Sequence, residues 1–235
     1  MFYYWDYTYI LVIVALLLSL FASFGVKMTF SKYKEQRTIR NITGAQAARK
    51  VLDLNGLSNV SIERVSGELT DHFDPKSNVI RLSDSTFNDT SVAAVGVAAH
   101  EAGHAVQYAT HYAPIKLRAA IIPITNFGSK LAMPLILLGI VLSFIGNFSY
   151  TLVYLGIACF GLSLVFQLIT LPVEFNASRR AVRAISDSGI LTQKELVGAK
   201  KTLKAAAMTY VAATAVALAQ LLRLIILFGG RRRRD

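Results

Sequence analysis

Two histidines four residues apart, with a glutamate beside the first, stand at His100, Glu101, Ala102, Gly103 and His104. On a helix, residues at this spacing lie one above the other, so both imidazoles can reach one tetrahedral Zn2+. The neighbouring carboxylate then faces the metal's open position. Bound zinc lowers the pKa of a coordinated water to about 7, and a glutamate so placed can take that water's proton and pass it to a leaving amine. The chemistry indicated is hydrolysis of a peptide bond, with Glu101 as general base. The competing reading is two core histidines on an apolar helix with a surface glutamate, and a third ligand decides between them.

A metzincin would carry Gly at 107 and His at 110; this chain has Gln107 and Thr110, with His111 one position late. A carboxylate ligand must come from further on, and no Asp or Glu occurs between Ala105 and Val173. Glu174, two residues after Pro172, is the earliest candidate to complete a His2Glu set with His100 and His104, as in a gluzincin, with one Zn2+ per chain. It could instead pair with Arg179 or Arg180, and Asp187 and Glu195 are later candidates. His72 is a candidate catalytic donor to the tetrahedral oxyanion or a surface turn histidine. Arg179 and Arg180 are alternative partners for the oxyanion or for a substrate carboxylate.

The elements that must hold these groups are legible around them. Ser91 caps a helix running through Ala93, Ala94, Val97 and Ala98 to about Tyr108. Thr43 with Gln46 forms a capping box ahead of a stripe of Ala47, Ala48, Val51 and Leu52, which Gly56 stops. Val60, Ile62 and Val65 predict a short strand. Leu69 to Phe73 and Val79 to Leu82 flank the turn-rich Asp74, Pro75, Lys76, Ser77 and Asn78, which predicts a β-hairpin. Proteases of this type commonly bind extended substrate as an added strand. Val79 to Ser83 is expected to be the receiving edge, with Val79, Ile80, Arg81 and Leu82, together with Arg180, as substrate-binding residues.

Around this small α+β portion the chain is too apolar to be dissolved on all sides. Of 235 residues, 54% are hydrophobic and 17% charged, and Lys and Arg outnumber Asp and Glu by 25 to 14; an ordinary soluble domain is about 25% charged. The 20 residues 7–26 carry no charge and suffice for one transmembrane helix, without the basic start and small-residue cleavage site of a signal peptide. The 43 uncharged residues 131–173 allow two more, folded as a hairpin about Gly146, Asn147, Phe148 and Ser149. Residues 205–230 form a fourth apolar stretch, interrupted by Arg223, which either snorkels from a full span or sits on a helix packed among the others.

The expected organisation is therefore an α-helical integral membrane protein with three to four transmembrane helices and a small zincin-like cytoplasmic domain. Residues 7–26 are the first span, 27–130 the domain with the HEAGH helix, 131–173 the hairpin of helices 2 and 3, 174–204 a cytoplasmic helical segment with the third ligand, 205–230 the fourth membrane helix and 231–235 a basic tail. Lys27 to Lys130 contains 13 basic residues and Arg179 to Lys204 contains 7, against none in the intervening turn. The positive-inside rule puts both basic segments, and the active site, on the cytoplasmic side of a multi-pass membrane protein. The tail Arg231 to Arg234 opposes that orientation if the fourth helix crosses. The expected partners are a polypeptide substrate and the lipid bilayer; nothing has the aromatic and basic interleaving of a nucleic-acid surface. The single Cys159, inside an apolar run, reads as a packed thiol.

Five strings, TGAQAARKVLDLNGL from Thr43, LTDHFDPKSNVIRLS from Leu69, AAHEAGHAVQ from Ala98, LPVEFNASRRA from Leu171 and AAAMTYVAATAVALAQLLRL from Ala205, carry a resemblance along nearly the whole chain. It resembles the bacterial membrane zinc metallopeptidases of the YugP-like, neutral zinc metallopeptidase group. The resemblance implies a membrane-bound enzyme with His100 and His104 as zinc ligands and Glu101 as catalytic base. The Glu174 segment is similar to the third-ligand helix of the HtpX-like and CAAX-protease clan. There an Asp usually follows the ligand Glu by four positions; here that place is Ser178, which leaves no carboxylate to brace a zinc histidine. Two other functions are weighed against an endopeptidase acting on membrane or misfolded proteins. A site-2-type intramembrane protease would bury its HExxH in a long span and carry a distant Asp in an apolar helix, which this chain lacks. A non-catalytic scaffold or assembly factor would have no use for Glu101.

Overall fold

The computed structural model describes residues 6–144 and 148–229. The elements are α1 (Tyr9–Lys34), α2 (Gly44–Leu54), β1 (Ser61–Val65), β2 (His72–Asp74), β3 (Val79–Ser83), α3 (Val92–Ala109), α4 (Ala113–Val141), α5 (Phe148–Ser188) and α6 (Gln193–Gly229), with a 3-10 turn over Leu142–Phe144. Two compact units share them. One comprises Ala22–Lys116 and Pro172–Thr209, the other Met1–Phe21, Leu117–Leu171 and Tyr210–Asp235.

In the first unit local sequence does most of the work. The Thr43 hydroxyl accepts from the Gln46 amide and the Gln46 side chain accepts from the Thr43 amide, closing the capping box. The stripe Ala47, Ala48, Val51 and Leu52 is buried, and Asn55 and Gly56 end the helix, Gly56 at a φ of 71° that favours glycine. The Ser91 hydroxyl caps α3 by accepting from Ala94. One core joins α2, β3, α3 and the parts of α5 and α6 that belong to this unit, with Leu52, Ile80, Val95, Ala98, Ala102, Ile185 and Ala199 at its centre.

The hairpin forms as β2 and β3, antiparallel, with Asn78 at a φ of 56° in its turn. Asp74 organises that turn: its carboxylate accepts from the Lys76 amide, the Ser77 hydroxyl and the Arg81 guanidinium, which hold it well below the usual carboxylate range. The edge assignment of Val79 to Ser83 is corrected. The sheet order is β1-β3-β2, with β1 parallel to β3. β3 is therefore the central strand, and its amides and carbonyls are committed to neighbours on both sides. Val79, Ile80 and Leu82 are buried, and Arg81 pairs with Asp74 and Glu63. These residues have no free backbone for a substrate strand; the sheet's edges are β1 and β2.

Four helices among the described residues are long and apolar enough to cross a membrane: α1, α4, most of α5, and α6. α1 leaves Leu16, Leu17, Leu18 and Leu20 exposed around its circumference, a surface that suits lipid and not water. The helix before the turn starts at Ala113, well ahead of Leu131, and accommodates Lys116, Arg118 and Lys130 as well as Pro123 and Pro134. Charge ended the predicted segment at Lys130, whereas a helix ends only where its backbone bonding does. The residues 145–147 of the expected turn and the tail 230–235 lie outside the described residues.

Within the second unit Ile136, Val153 and Ile157 pack with Leu221, Leu224 and Phe228. Arg223 has partners within this unit: its Nη2 is 2.9 Å from the Asp6 carboxylate and its guanidinium lies 4.0 Å from the Tyr9 ring centroid. The Tyr154 hydroxyl donates to the Phe228 carbonyl at 3.2 Å. The C-terminal end of α6 thus lies beside the N-terminal ends of α1 and α5.

Candidate metal centre

The two histidines occupy successive turns of α3, which is buried nearly all round: His104 and Glu101 are buried, His100 half-buried. The opposite wall is α5, and a glycine lets it approach. A Cβ on Gly103 would meet the Ala177 carbonyl oxygen at 2.7 Å, closer than a side chain tolerates. Glycine inside the HEAGH motif therefore sets the spacing at which Glu174, one turn before Ala177 on α5, meets the histidines.

Glu174 is buried, and its Oε2 lies 3.3 Å from His100 Nε2 and 3.5 Å from His104 Nε2. Ligand atoms of the three residues all fall within 4.8 Å of one another, the one such His, Cys, Asp or Glu group among the described residues. Ligands about 2.0–2.1 Å from a tetrahedral ion stand about 3.3–3.4 Å apart. The donor set and its spacing fit a zinc ion, with a fourth position left over. Burial opposes a charge on His104, but the Glu174 hydrogen bond and the charges of Glu101 and Glu174 outweigh it and raise the imidazole above its ordinary pKa. A site that concentrates negative charge on buried imidazoles in this way is built for a cation.

The His104 imidazole is held in the tautomer a metal needs. Gln107 donates its Nε2 to the Val173 carbonyl at 2.8 Å and to Asn176 Oδ1 at 3.0 Å, which leaves its Oε1 as acceptor for His104 Nδ1 at 3.0 Å. His104 Nδ1 therefore carries the proton and Nε2 keeps its lone pair. On His100 the Nδ1 is 3.1 Å from the Ser178 hydroxyl, so serine occupies the bracing position that lacks a carboxylate. Arg180 Nε donates to Asn176 Oδ1 at 2.8 Å and extends the chain His104, Gln107, Asn176 outward.

Gln107 and Asn176 were not singled out by sequence reasoning. The available signal was Gln107's place one turn after His104, a polar side chain on an otherwise apolar helix. Among the remaining candidates, His72 is exposed at the start of β2 with its Nδ1 on the Thr70 carbonyl, outside the three-residue group. Arg180 is half-buried, 6.0 Å from the Tyr112 ring, and joins the site through Asn176. Asp187 and Arg179 are exposed. Glu195 is buried elsewhere, accepting from the Ile39 amide and from both the amide and hydroxyl of Thr192.

The fold and site thus define a class: a chain with four helices able to cross a membrane and a helix-borne histidine pair that, with a glutamate from a second helix, could hold a metal ion. The family model described as "Putative neutral zinc metallopeptidase" matches residues 8–229, and the chain belongs to this family of zinc metallopeptidases. It is 46% identical over 218 residues, 93% of this chain and 95% of the relative, to the protein named "Putative membrane protease YugP" of Bacillus subtilis (strain 168). No solved structure matches.

Proposed function

We propose that this metallopeptidase is a membrane-bound endopeptidase of the gluzincin type, with His100, His104 and Glu174 as ligands of one Zn2+ and Glu101 as general base, working at the cytoplasmic face on membrane or misfolded polypeptides. The observation that carries the reading is the convergence of both Nε2 atoms on one Glu174 oxygen. Zinc held there supplies a Lewis acid and lowers the pKa of a bound water to about 7. Gln107 and Ser178 hold the imidazoles by their Nδ1 atoms. Glu101, buried on the next position of α3 after His100, takes a proton from the attacking water and delivers it to the departing nitrogen as the peptide bond breaks. An extended substrate is received alongside β2, an edge strand that packs on α3 through the edge-on contact of Phe73 with Tyr108 at 5.6 Å. His72 on that strand is the candidate oxyanion donor. α3 is not among the helices apolar enough to cross a membrane, which weighs against an intramembrane cleavage site.

The test is Glu101→Ala in full-length protein purified in detergent. It removes the base and no ligand, so about one zinc per chain is retained while peptidase activity falls by about 10²- to 10⁴-fold. Native-rate cleavage by the variant would overturn the mechanism.

A further inference from the structure

A groove of about 400 Å³ lies between α1 and α6, away from the metal centre, lined by Met28, Thr29, Lys32, Tyr33, Lys201, Lys204, Ala205 and Met208. Its walls cross closely: a Cβ on Gly198 would come within 2.6 Å of the Tyr33 ring, so glycine at this point lets α1 lie against α6. Three lysines line the groove, the Lys32 ammonium 5.9 Å from the Tyr33 ring centroid, and no Asp or Glu does. Among the described residues none of the three lysines makes an ion pair, although Arg37, Arg49, Arg64, Arg81 and Lys34 of the same unit all do. Concentrated, unneutralised positive charge in a concave site calls for an anion.

The register along the two helices indicates which anion. Lys27 closes the uncharged run 7–26, Met28 follows it, and Lys32 is one turn further along α1; Lys204 precedes Met208 by one turn on α6, where the apolar run 205–230 opens. Each helix thus sets a lysine one turn outside a methionine, with the methionine on the side of its own apolar run. Met28 and Met208 are exposed, as are all three lysines. The groove grades from flexible apolar side chains to cationic ones over about one helical turn, the profile of an acyl chain leading up to a phosphate.

We infer that the α1–α6 groove is a binding site for an anionic phospholipid, its phosphate held by Lys32, Lys201 and Lys204 and the start of an acyl chain lying along Met28, Ala205 and Met208. The site is distinct from the metal centre and independent of the catalytic assignment.

The test is native mass spectrometry of delipidated, detergent-purified full-length protein titrated with phosphatidylglycerol, with phosphatidylcholine of the same chains, and with phosphatidylglycerol in the presence of millimolar inorganic phosphate. The expected result is a saturable phosphatidylglycerol adduct that phosphatidylcholine does not reproduce and phosphate does not displace. Each lysine at an anionic surface contributes about fivefold, so the triple variant Lys32→Gln, Lys201→Gln, Lys204→Gln binds about 100-fold more weakly. The variant Lys50→Gln, Lys76→Gln, Lys194→Gln, which loses the same charge from exposed positions outside the groove, binds as the unaltered protein. A photoreactive phosphatidylglycerol on the unaltered protein crosslinks to peptides within 28–33 and 201–208, which tests the site without relying on the folding of any variant. Undiminished binding by the first triple variant, equal binding of phosphatidylcholine, or crosslinks elsewhere would overturn the site. Displacement by phosphate would overturn its assignment to a lipid in favour of a free anion.

Discussion

At the scale of single residues, the proposed metal centre separates ligands from the groups that orient them, and substitutions should sort accordingly. Glu174→Gln replaces a charged ligand by a weak neutral one; zinc binding should fall by more than about 100-fold while membrane insertion persists. Gln107→Leu removes the acceptor that holds the proton on His104 Nδ1, and Ser178→Ala the partner of His100 Nδ1. Losses of this kind typically weaken metal binding about 10- to 100-fold, measurable by competition with a chromogenic chelator. Glu195→Gln is the contrast. That carboxylate is also buried, but it ties the Ile39 amide to the N-terminus of α6. The variant should keep its zinc with unchanged affinity and unfold at a lower temperature. A Glu174→Gln protein with full zinc content would send the ligand assignment elsewhere.

At the scale of elements, the site depends on how closely α3 and α5 approach. Gly→Ala in a helix interior normally stabilises by roughly 0.5–1 kcal/mol. At Gly103 the sign should reverse, because the new methyl would meet the Ala177 carbonyl oxygen at 2.7 Å and must push α5 outward. Overpacking of this kind costs about 1–3 kcal/mol, and here the displaced helix carries Glu174. Gly103→Ala should therefore lower both the unfolding temperature and the zinc affinity, although it changes neither ligand nor base. Unaltered zinc affinity in that variant would mean that the helix spacing does not set the metal geometry. The hairpin turn is a second element-scale device. Asp74 has a depressed pKa, so the stability it contributes is present above the ordinary carboxylate pKa and is lost as the pH falls further. Asp74→Asn should abolish that part of the acid sensitivity.

At the scale of the whole molecule, orientation is the open variable, and the ion pair of Asp6 with Arg223 bears on it. It sets the C-terminal end of α6 beside the N-terminal end of α1, so α6 runs back to the level at which α1 begins. The tail after Gly229 should then emerge on the side of the N-terminus, despite its four arginines, outvoted by the 20 basic residues of the two large segments. In a Cys159→Ala background, reagents confined to the outside of intact cells should label Asn147→Cys and Asp235→Cys, and spare Lys76→Cys and Lys194→Cys. The latter two positions are exposed. Labelling of Lys76→Cys from outside would invert the molecule and move the metal centre to the other face.

The sequence by itself determined what depends on neighbours a few residues apart. His100 and His104 share a face because a helix has 3.6 residues per turn. Thr43 and Ser91 cap their helices because a side-chain oxygen reaches an amide two or three residues on. The apolar runs are long enough to span, and the absence of any other carboxylate between Glu101 and Glu174 pointed to Glu174 as the candidate third ligand, the residue that the fold brings to the histidines. Only the tertiary structure decided what depends on segments distant in the chain. The parallel addition of β1 made β3 a central strand instead of an edge, since pairing across an intervening hairpin leaves no mark in either strand's own pattern. Gln107, Asn176 and Ser178 became braces because two helices came close enough at Gly103 for their side chains to meet. Arg223 found Asp6 from the far end of the chain. In each case the deciding energy is a contact between surfaces, which a local pattern permits and does not specify.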